Sequence, residues 1–267
     1  MTFRMRLHGC DGSEWPLLSE HYKGVYMERG MLTGFVASPV TTGVMGARPD
    51  GSLVWSGAST VQPMQGDMPL VVDDSDGPVN RVHKRFRNAF APDPRHKFAK
   101  LDLTDDASGL SFFTMVRLTA GIAPLPEPDI ETGFERFSVS VQSDDGVWRT
   151  RLHLTGGGAV TVTNIGDVGA WVRIMWKGAG GKVIVPSGAS FMLPAVSDYR
   201  ILYLSTAMGA LVTDMAGKVD RERWIAVRAT AIAEHVPAHE ARVFTIPDGS
   251  EIIADFGVYD PWKGVTA

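Results

Sequence analysis

The sequence has little of several features that define whole classes of protein. It contains one cysteine among 267 residues, Cys10, so it has no internal disulfide framework, and we expect that thiol to be a small buried side chain. No apolar run reaches the roughly 18 residues that a membrane-spanning helix requires. The net charge is -4, without the basic excess that drives binding to nucleic-acid backbones. These absences argue against a disulfide-rich domain, an integral membrane protein and a nucleic-acid-binding protein.

The first residues lack the pattern of a secretory signal. Between Met1 and Cys10, Arg4, Arg6 and His8 alternate with apolar side chains, whereas a signal peptide needs an uninterrupted apolar run. Alternation with a period of two predicts a strand. We therefore expect the protein to remain in solution after its synthesis.

Short alternating segments dominate the rest of the chain. Phe137, Val139 and Val141 alternate with polar residues, which is typical of a half-buried strand, and 29 glycines and 16 prolines provide many turns. The same rhythm predicts strands at Val160–Thr163, Ala170–Trp176, Val183–Val185, Ala189–Leu193, Tyr199–Leu204, Arg242–Ile246 and Glu251–Phe256. Trp224–Ala233 is ambiguous between helix and strand, and we favour a strand. The pattern predicts a mainly β protein with a β-sandwich from about Gly156 onward.

The length suits two medium-sized domains. The run Thr155–Gly158 interrupts the strand pattern and predicts a short flexible joint. We place the domains at residues 1–152 and 153–267, with the last residues able to pack back onto the first domain.

One amphipathic helix is predicted in the first domain, from Pro78 to Ala91, with Ser75 or Asp76 as its cap. Apolar residues recur on one face, while the other face carries Arg81, Lys84, Arg85 and Arg87. Such a face can bind a membrane or nucleic acid, but a solvated face or a contact with acidic side chains of a neighbouring subunit is favoured in an acidic protein. These four residues are our candidates for a subunit interface.

The segment Gly9–Leu17 is predicted to turn the chain after the first strand. Gly12 and Pro16 have the backbone preferences of turn residues, and Trp15 is large enough to anchor the turn in a core. We assign Trp15, Pro16, Phe86 and Phe90 as structural anchors.

No motif predicts catalysis, a metal site or a cofactor site. His235 and His239 have the i,i+4 spacing of a zinc helix, but Pro237 between them disfavours that helix and the metalloprotease glutamate is absent. The carboxylate pairs lie in polar turns, where nothing predicts a raised pKa. We therefore assign no catalytic, metal-binding or cofactor-binding residues and expect no enzymatic activity.

The order of several short motifs resembles a known family. The pattern begins with Asp11–Leu17, Gly24–Met27 and Ser38–Val40, and continues through the helix at Pro78–Ala91, the segments Lys97–Leu103, Leu110–Leu118 and Phe134–Trp148, the turn Asn164–Asp167 and Pro261–Trp262. In this order it is similar to the distal tail proteins (Dit) of long, non-contractile-tailed phages, particularly those infecting actinobacteria. Tyr26–Met27 departs from the simpler aliphatic pair more usual in the family.

The resemblance implies a structural protein of the virion, at the tail tip, synthesised in the host cytoplasm. It implies an N-terminal ring-forming domain of β-strands with one helix, a C-terminal galectin-like β-sandwich and a homohexameric ring. It implies a part in tail assembly and host attachment, and its expected partners are the tail tube protein, the tail hub or baseplate protein, the tape measure protein and a host surface glycan. Genomic DNA would pass without specific binding, so we expect Arg81, Lys84, Arg85 and Arg87 not to dominate the ring lumen.

An alternative reading is a carbohydrate-binding module or a glycan-active enzyme acting on host cell-wall polysaccharide. Its candidates are four aromatic residues that would have to be exposed, Trp148, Trp171, Trp176 and Tyr199. Buried packing is the commoner role for aromatic residues at alternating strand positions, so this reading ranks second.

Overall fold

A computed structural model describes residues 3–28, 32–47, 53–91, 97–125 and 133–263. The fold is mainly β, and the chain divides into two compact units. Unit 1 comprises residues up to Trp148 together with a return segment that begins at Tyr259, and unit 2 comprises Arg149–Val258. The boundary predicted between residues 152 and 153 falls inside a strand, Trp148–Thr163. Within the described ranges, no helix is long and apolar enough to cross a membrane.

Unit 1 is built from antiparallel strands. They are β1 (Phe3–His8), β2 (Glu14–Leu18), β3 (Val25–Met27), β4 (Pro39–Ala47), β5 (Leu53–Val61), β6 (Met64–Asp73), β7 (Ala99–Asp105), β8 (Ser111–Leu118) and β9 (Phe134–Ser143). Hydrogen bonding gives the order β2-β1-β7-β8-β9-β6-β3, and β4 and β5 form a separate hairpin. The strict alternation of buried and half-buried side chains along β7 shows how a period-two sequence covers a core on one face.

The helix α1 (Val79–Arg87) lies against β3 and β6. It explains why Leu70, Val71 and Val72 at the end of β6 are all buried, since the helix covers one face of the strand and the core the other. The helix is shorter than predicted, and the predicted cap is wrong. Asp73 caps a preceding 3-10 turn, Asp74–Asp76, while α1 itself begins after Pro78 with no side-chain cap.

The segment after β1 is a tight turn closed by Gly9 and Ser13, with Gly12 at φ 85°. Such a positive φ favours glycine. Pro16, predicted to help shape this turn, instead lies within β2, opposite Arg6 and beside a register shift in β1. Proline cannot donate a backbone hydrogen bond, which explains its position next to an irregularity in the strand pairing.

Unit 2 is also built from antiparallel strands and has a core of its own. Its elements are β10 (Trp148–Thr163, whose first residue belongs to unit 1), β11 (Ala170–Gly178), β12 (Gly181–Ile184), β13 (Ser190–Leu193), β14 (Val196–Tyr203), β15 (Val212–Thr213), α2 (Arg221–Arg228), β16 (His235–Val236) and β17 (Ala241–Val258). The order β15-β14-β11-β17-β10 includes one long strand, β17, where two shorter strands were predicted. Buried side chains from most of these strands and from α2 form one cluster.

Two local predictions for unit 2 are wrong. The glycine run expected to be a flexible joint lies inside β10, where a Cβ on Gly157 would come within 1.8 Å of Asp248 Oδ1, so glycine permits a close approach. Trp224–Ala233, favoured as a strand, contains most of α2, which Asp220 caps by accepting a hydrogen bond from Arg223 N. Adjacent apolar residues after a capping aspartate suit a helix better than an alternating strand.

Trp15→Ala is expected to lower the free energy of unfolding by about 3–5 kcal/mol, because Trp15 is 3% exposed and its removal leaves a large cavity. Denaturant unfolding of the purified chain measures this loss. Trp15→Phe, which keeps a ring in the site, should lose less than half as much. Equal unfolding midpoints for Trp15→Ala and the unchanged protein would contradict the assigned anchor role.

Candidate functional site

The two sides of α1 have opposite characters. Val79, Val82 and Phe86 are buried, whereas the predicted interface residues Arg81, Lys84, Arg85 and Arg87 are all exposed. The structure therefore brings the four basic residues together on one helix, with their charged groups in solvent. In the described part of the chain, Arg81, Lys84 and Arg87 form no ion pair.

Arg85 differs from the other three because it already has partners within unit 1. Its guanidinium pairs with Asp76 and lies 5.1 Å from the ring centroid of Trp15. Lys23 Nζ also contacts Asp76, at 3.1 Å. Hydrogen bonds from Arg85 and then from Lys23 hold the pKa of Asp76 below its usual value. Arg81, Lys84 and Arg87 are therefore the better candidates for contacts with another subunit.

An aromatic cluster fixes α1 in place. The ring of Phe86 meets the rings of Trp15, Phe137 and Phe90 edge to face, at centroid distances of 5.2, 5.7 and 5.8 Å. The indole N–H of Trp15 donates to Ser13 Oγ at 2.9 Å, so the buried ring leaves no donor unpaired. Trp15, Phe86 and Phe90 are buried, while Pro16 is only half-buried.

His83 is a buried histidine that the sequence analysis did not single out. It is 3% exposed, packs edge to face on Phe137 at 4.8 Å, and its Nε2 has no hydrogen-bond partner. Burial, followed by the charge of Arg87, lowers the pKa of His83. The available signal was its position next to Val82 and three residues before Phe86, on the apolar side of the helix.

The four aromatic candidates for a glycan surface separate into two pairs. Trp148 and Trp176 are fully buried, and their indole N–H groups donate to Phe35 O and Pro194 O at 2.8 and 2.9 Å. Their candidacy as exposed platforms is therefore wrong. Trp171 and Tyr199 are 37% and 44% exposed. Odd and even positions of β11 face opposite sides of the sheet, which explains the contrast between Trp171 and Trp176.

The two histidines with zinc-like spacing lie apart from any cluster of ligands. His235 is in β16 and packs on Trp171, whereas His239 contacts Asp167 at 3.5 Å. Among the described residues, no group of three His, Cys, Asp or Glu side chains is arranged to hold a metal ion.

Unit 2 contains a second charged cluster, which the sequence did not predict. Asp255 accepts hydrogen bonds from Arg151 at 2.7 and 3.1 Å and from Arg173 at 2.8 Å. The three residues come from β10, β11 and β17, which are distant in sequence, so no local pattern could have indicated their contact.

Comparison with known proteins gives a fold and no sequence family. No protein-family model matches the chain, and no curated protein matches it either.

Solved structures do match over nearly the full length. A chain of the phage P2 baseplate in its activated conformation with Ca has 10% sequence identity and a TM-score of 0.55, with 96% of this chain and 98% of that chain covered. The phage P2 baseplate with Sr gives the same values. The SPP1 Dit protein (gp 19.1), described as a paradigm of the hub adsorption apparatus in phages infecting Gram-positive bacteria, has 9% identity and a TM-score of 0.54, with 96% and 99% covered.

These matches identify a mainly β, Dit-like fold. The matches extend over both units, because nearly the whole of this chain and of each compared chain is aligned. The fold is thus the one found in phage baseplate and hub proteins.

Arg85→Ala is expected to lower the free energy of unfolding by about 1 kcal/mol, since it removes a partly exposed ion pair and a contact with the Trp15 ring. Lys84→Ala is the matched control on the same helix and should change stability by less than about 0.5 kcal/mol. Denaturant unfolding of both variants measures the difference. Equal losses would show that the two cations are equivalent.

The buried His83 should make stability depend on pH. Its pKa is lowered in the folded state, so the unfolded chain binds the proton more tightly, and stability falls as pH drops below about 6.5. His83→Leu should flatten part of this fall between about pH 7.5 and 5.5 in denaturant unfolding. His21→Gln, a substitution of an exposed histidine in the same unit, is measured alongside as the control. An unaltered pH profile for His83→Leu would refute the role of His83.

Proposed function

We propose that this chain is a Dit-like structural protein of a phage tail tip. The observation that carries the proposal is the fold match to the SPP1 Dit protein and to a phage P2 baseplate chain, which extends over both units and nearly all of each compared chain. A match of one unit alone would support only a common β-sandwich module. We infer a structural and non-enzymatic role, in line with the hub and baseplate setting of those proteins.

In this proposal six copies form a closed ring, with unit 1 as the ring-forming domain and unit 2 as a galectin-like sandwich. A ring needs two different complementary patches on each subunit. The basic residues Arg81, Lys84 and Arg87 are exposed and unpaired within the described part of the chain, which suits one patch. Acidic side chains of the neighbouring subunit would form the other.

The ring would join the tail tube protein above to the tail hub or baseplate protein below and contact the tape measure protein. The protein would be synthesised in the host cytoplasm and end in the virion, in a long non-contractile tail of the kind found in phages of actinobacteria. With a net charge of -4, the chain is poorly suited to hold DNA, so the genome would pass through the ring without specific binding.

The ring can be tested directly. Native mass spectrometry and negative-stain images of the purified chain, alone and mixed with the tail tube protein of the same phage, are expected to show a six-fold ring. A monomer under both conditions would contradict the ring.

Charge reversal tests the proposed patch. The double variant Arg81→Glu, Lys84→Glu should reduce the hexamer fraction by about ten-fold or more, because it places like charges against the neighbouring acidic patch. Arg87 is left unchanged because its charge acts on His83. The matched control reverses two exposed cations of unit 2, Lys218→Glu and Arg221→Glu, and should assemble normally. Equal assembly of both double variants would exclude the α1 face from the interface.

A further inference from the structure

Unit 2 contains an open cavity of about 520 Å³, which we call the Trp171 cavity. Its wall includes Arg149, Trp171, Arg173, Tyr203, Ser205 and Met208, with Asp255 at its side. The volume lies within the roughly 300–1,000 Å³ of small-molecule sites, which combine apolar or aromatic walls with a few polar groups. The Trp171 cavity has this composition.

Trp171 provides an aromatic surface and an unused donor. It is 37% exposed, and its indole N–H has no hydrogen-bond partner among the described residues. By contrast, the indole N–H groups of Trp15, Trp148, Trp176 and Trp224 all have acceptors. The ring of His235 packs against Trp171 at 5.4 Å, on the paired strand β16, and so restricts the orientation of the indole. A ligand that lies on this ring can also accept its hydrogen bond.

Arg173 provides a positioned cation with spare donors. Its side chain is only 18% exposed, and one Nη donates to Asp255 while the guanidinium lies 5.9 Å from the centroid of Tyr203. In the described residues, its Nε and its other Nη have no acceptor. These N–H groups are not among the buried atoms that lack a partner, so they are open to solvent and can also donate to a bound ligand.

The charge of the Arg173 cluster favours one negative group on the ligand. Arg151 and Arg173 share the single carboxylate of Asp255, and both of its oxygens are already occupied. Arg149 lies at the same wall, so the cavity is lined by more than one cationic side chain. A carboxylate carries one negative charge, whereas a phosphate monoester carries about 1.5 to 2 at neutral pH. Arg173 is a single guanidinium with open N–H groups, which suits pairing with one carboxylate, and a phosphate is the competing ligand in the test.

We propose that the Trp171 cavity binds a sugar acid, with the sugar ring stacked on Trp171 and the carboxylate paired with Arg173. A sugar ring presents an apolar face to the indole, and its hydroxyls both donate and accept hydrogen bonds, which suits Ser205 and Tyr203 at the wall. Arg149 adds a further guanidinium at the same wall. The proposal goes beyond assembly, since unit 2 alone supplies every residue and no ring is needed.

The probes are galacturonate, glucuronate and N-acetylneuraminate, each titrated into the full chain by calorimetry and tryptophan fluorescence. At least one is expected to bind saturably and at least about ten-fold more tightly than galactose or glucose. Failure of all three acids to bind would overturn the proposal, as would tighter binding of AMP or equal binding of the neutral sugars. Ring formation is scored separately by mass, so either idea can fail without the other.

Substitutions in the Trp171 cavity test where the sugar acid binds. Trp171→Ala and Arg173→Gln should each weaken binding by about ten-fold or more, while Trp171→Phe keeps an aromatic ring and should retain most of the affinity. Arg173→Gln leaves Arg151 paired with Asp255, so the fold is expected to persist, and melting curves check this. Tyr199→Ala removes an exposed aromatic outside the cavity and is the matched control. Unchanged binding by Trp171→Ala, or a loss equal to it in Tyr199→Ala, would also overturn the proposal.

Discussion

The packing of Phe86 is the contact on which unit 1 depends most. Its fully buried ring touches aromatic rings contributed by β2, by β9 and by the residues after α1. This contact orients the helix so that its apolar stripe covers β6 and its cations face solvent. The basic surface is thus a consequence of the buried one, because a helix that buries one stripe must expose the opposite one.

Alternation with a period of two allowed most strands to be predicted from the sequence. In β7 and β11, every second residue is buried, so the pattern by itself indicated both the strand and its inner face. The failures have specific causes. Asp220 and the adjacent apolar residues after it outweighed the strand preference of Trp224 and Ile225, and Gly157 reflects the close approach of Asp248 rather than a flexible joint. Local preference cannot report such long-range contacts.

In the candidate sites, too, the features set by local sequence were predictable and those set by long-range contacts were not. The four cations of α1 were predictable because helical spacing groups them, but the partners that separate Arg85 from the others, Asp76 and Trp15, become visible only in three dimensions. Likewise, Trp171 and Trp176 belong to the same strand, yet one is half exposed and the other fully buried. The number of aromatic residues alone therefore does not identify a binding surface. Their positions along a strand are more informative, because odd and even positions face opposite sides of the sheet.

The trio of Asp255, Arg151 and Arg173 restricts how this protein can diverge. Loss of Asp255 alone would remove the carboxylate that accepts three hydrogen bonds from Arg151 and Arg173, so changes at the three positions are expected to be coupled. Stepwise substitution at these positions would remove some of these hydrogen bonds at each intermediate. Among relatives of this chain, the three positions should therefore vary together, and such covariation would mark the central strands of unit 2 even where overall identity has fallen to about a tenth.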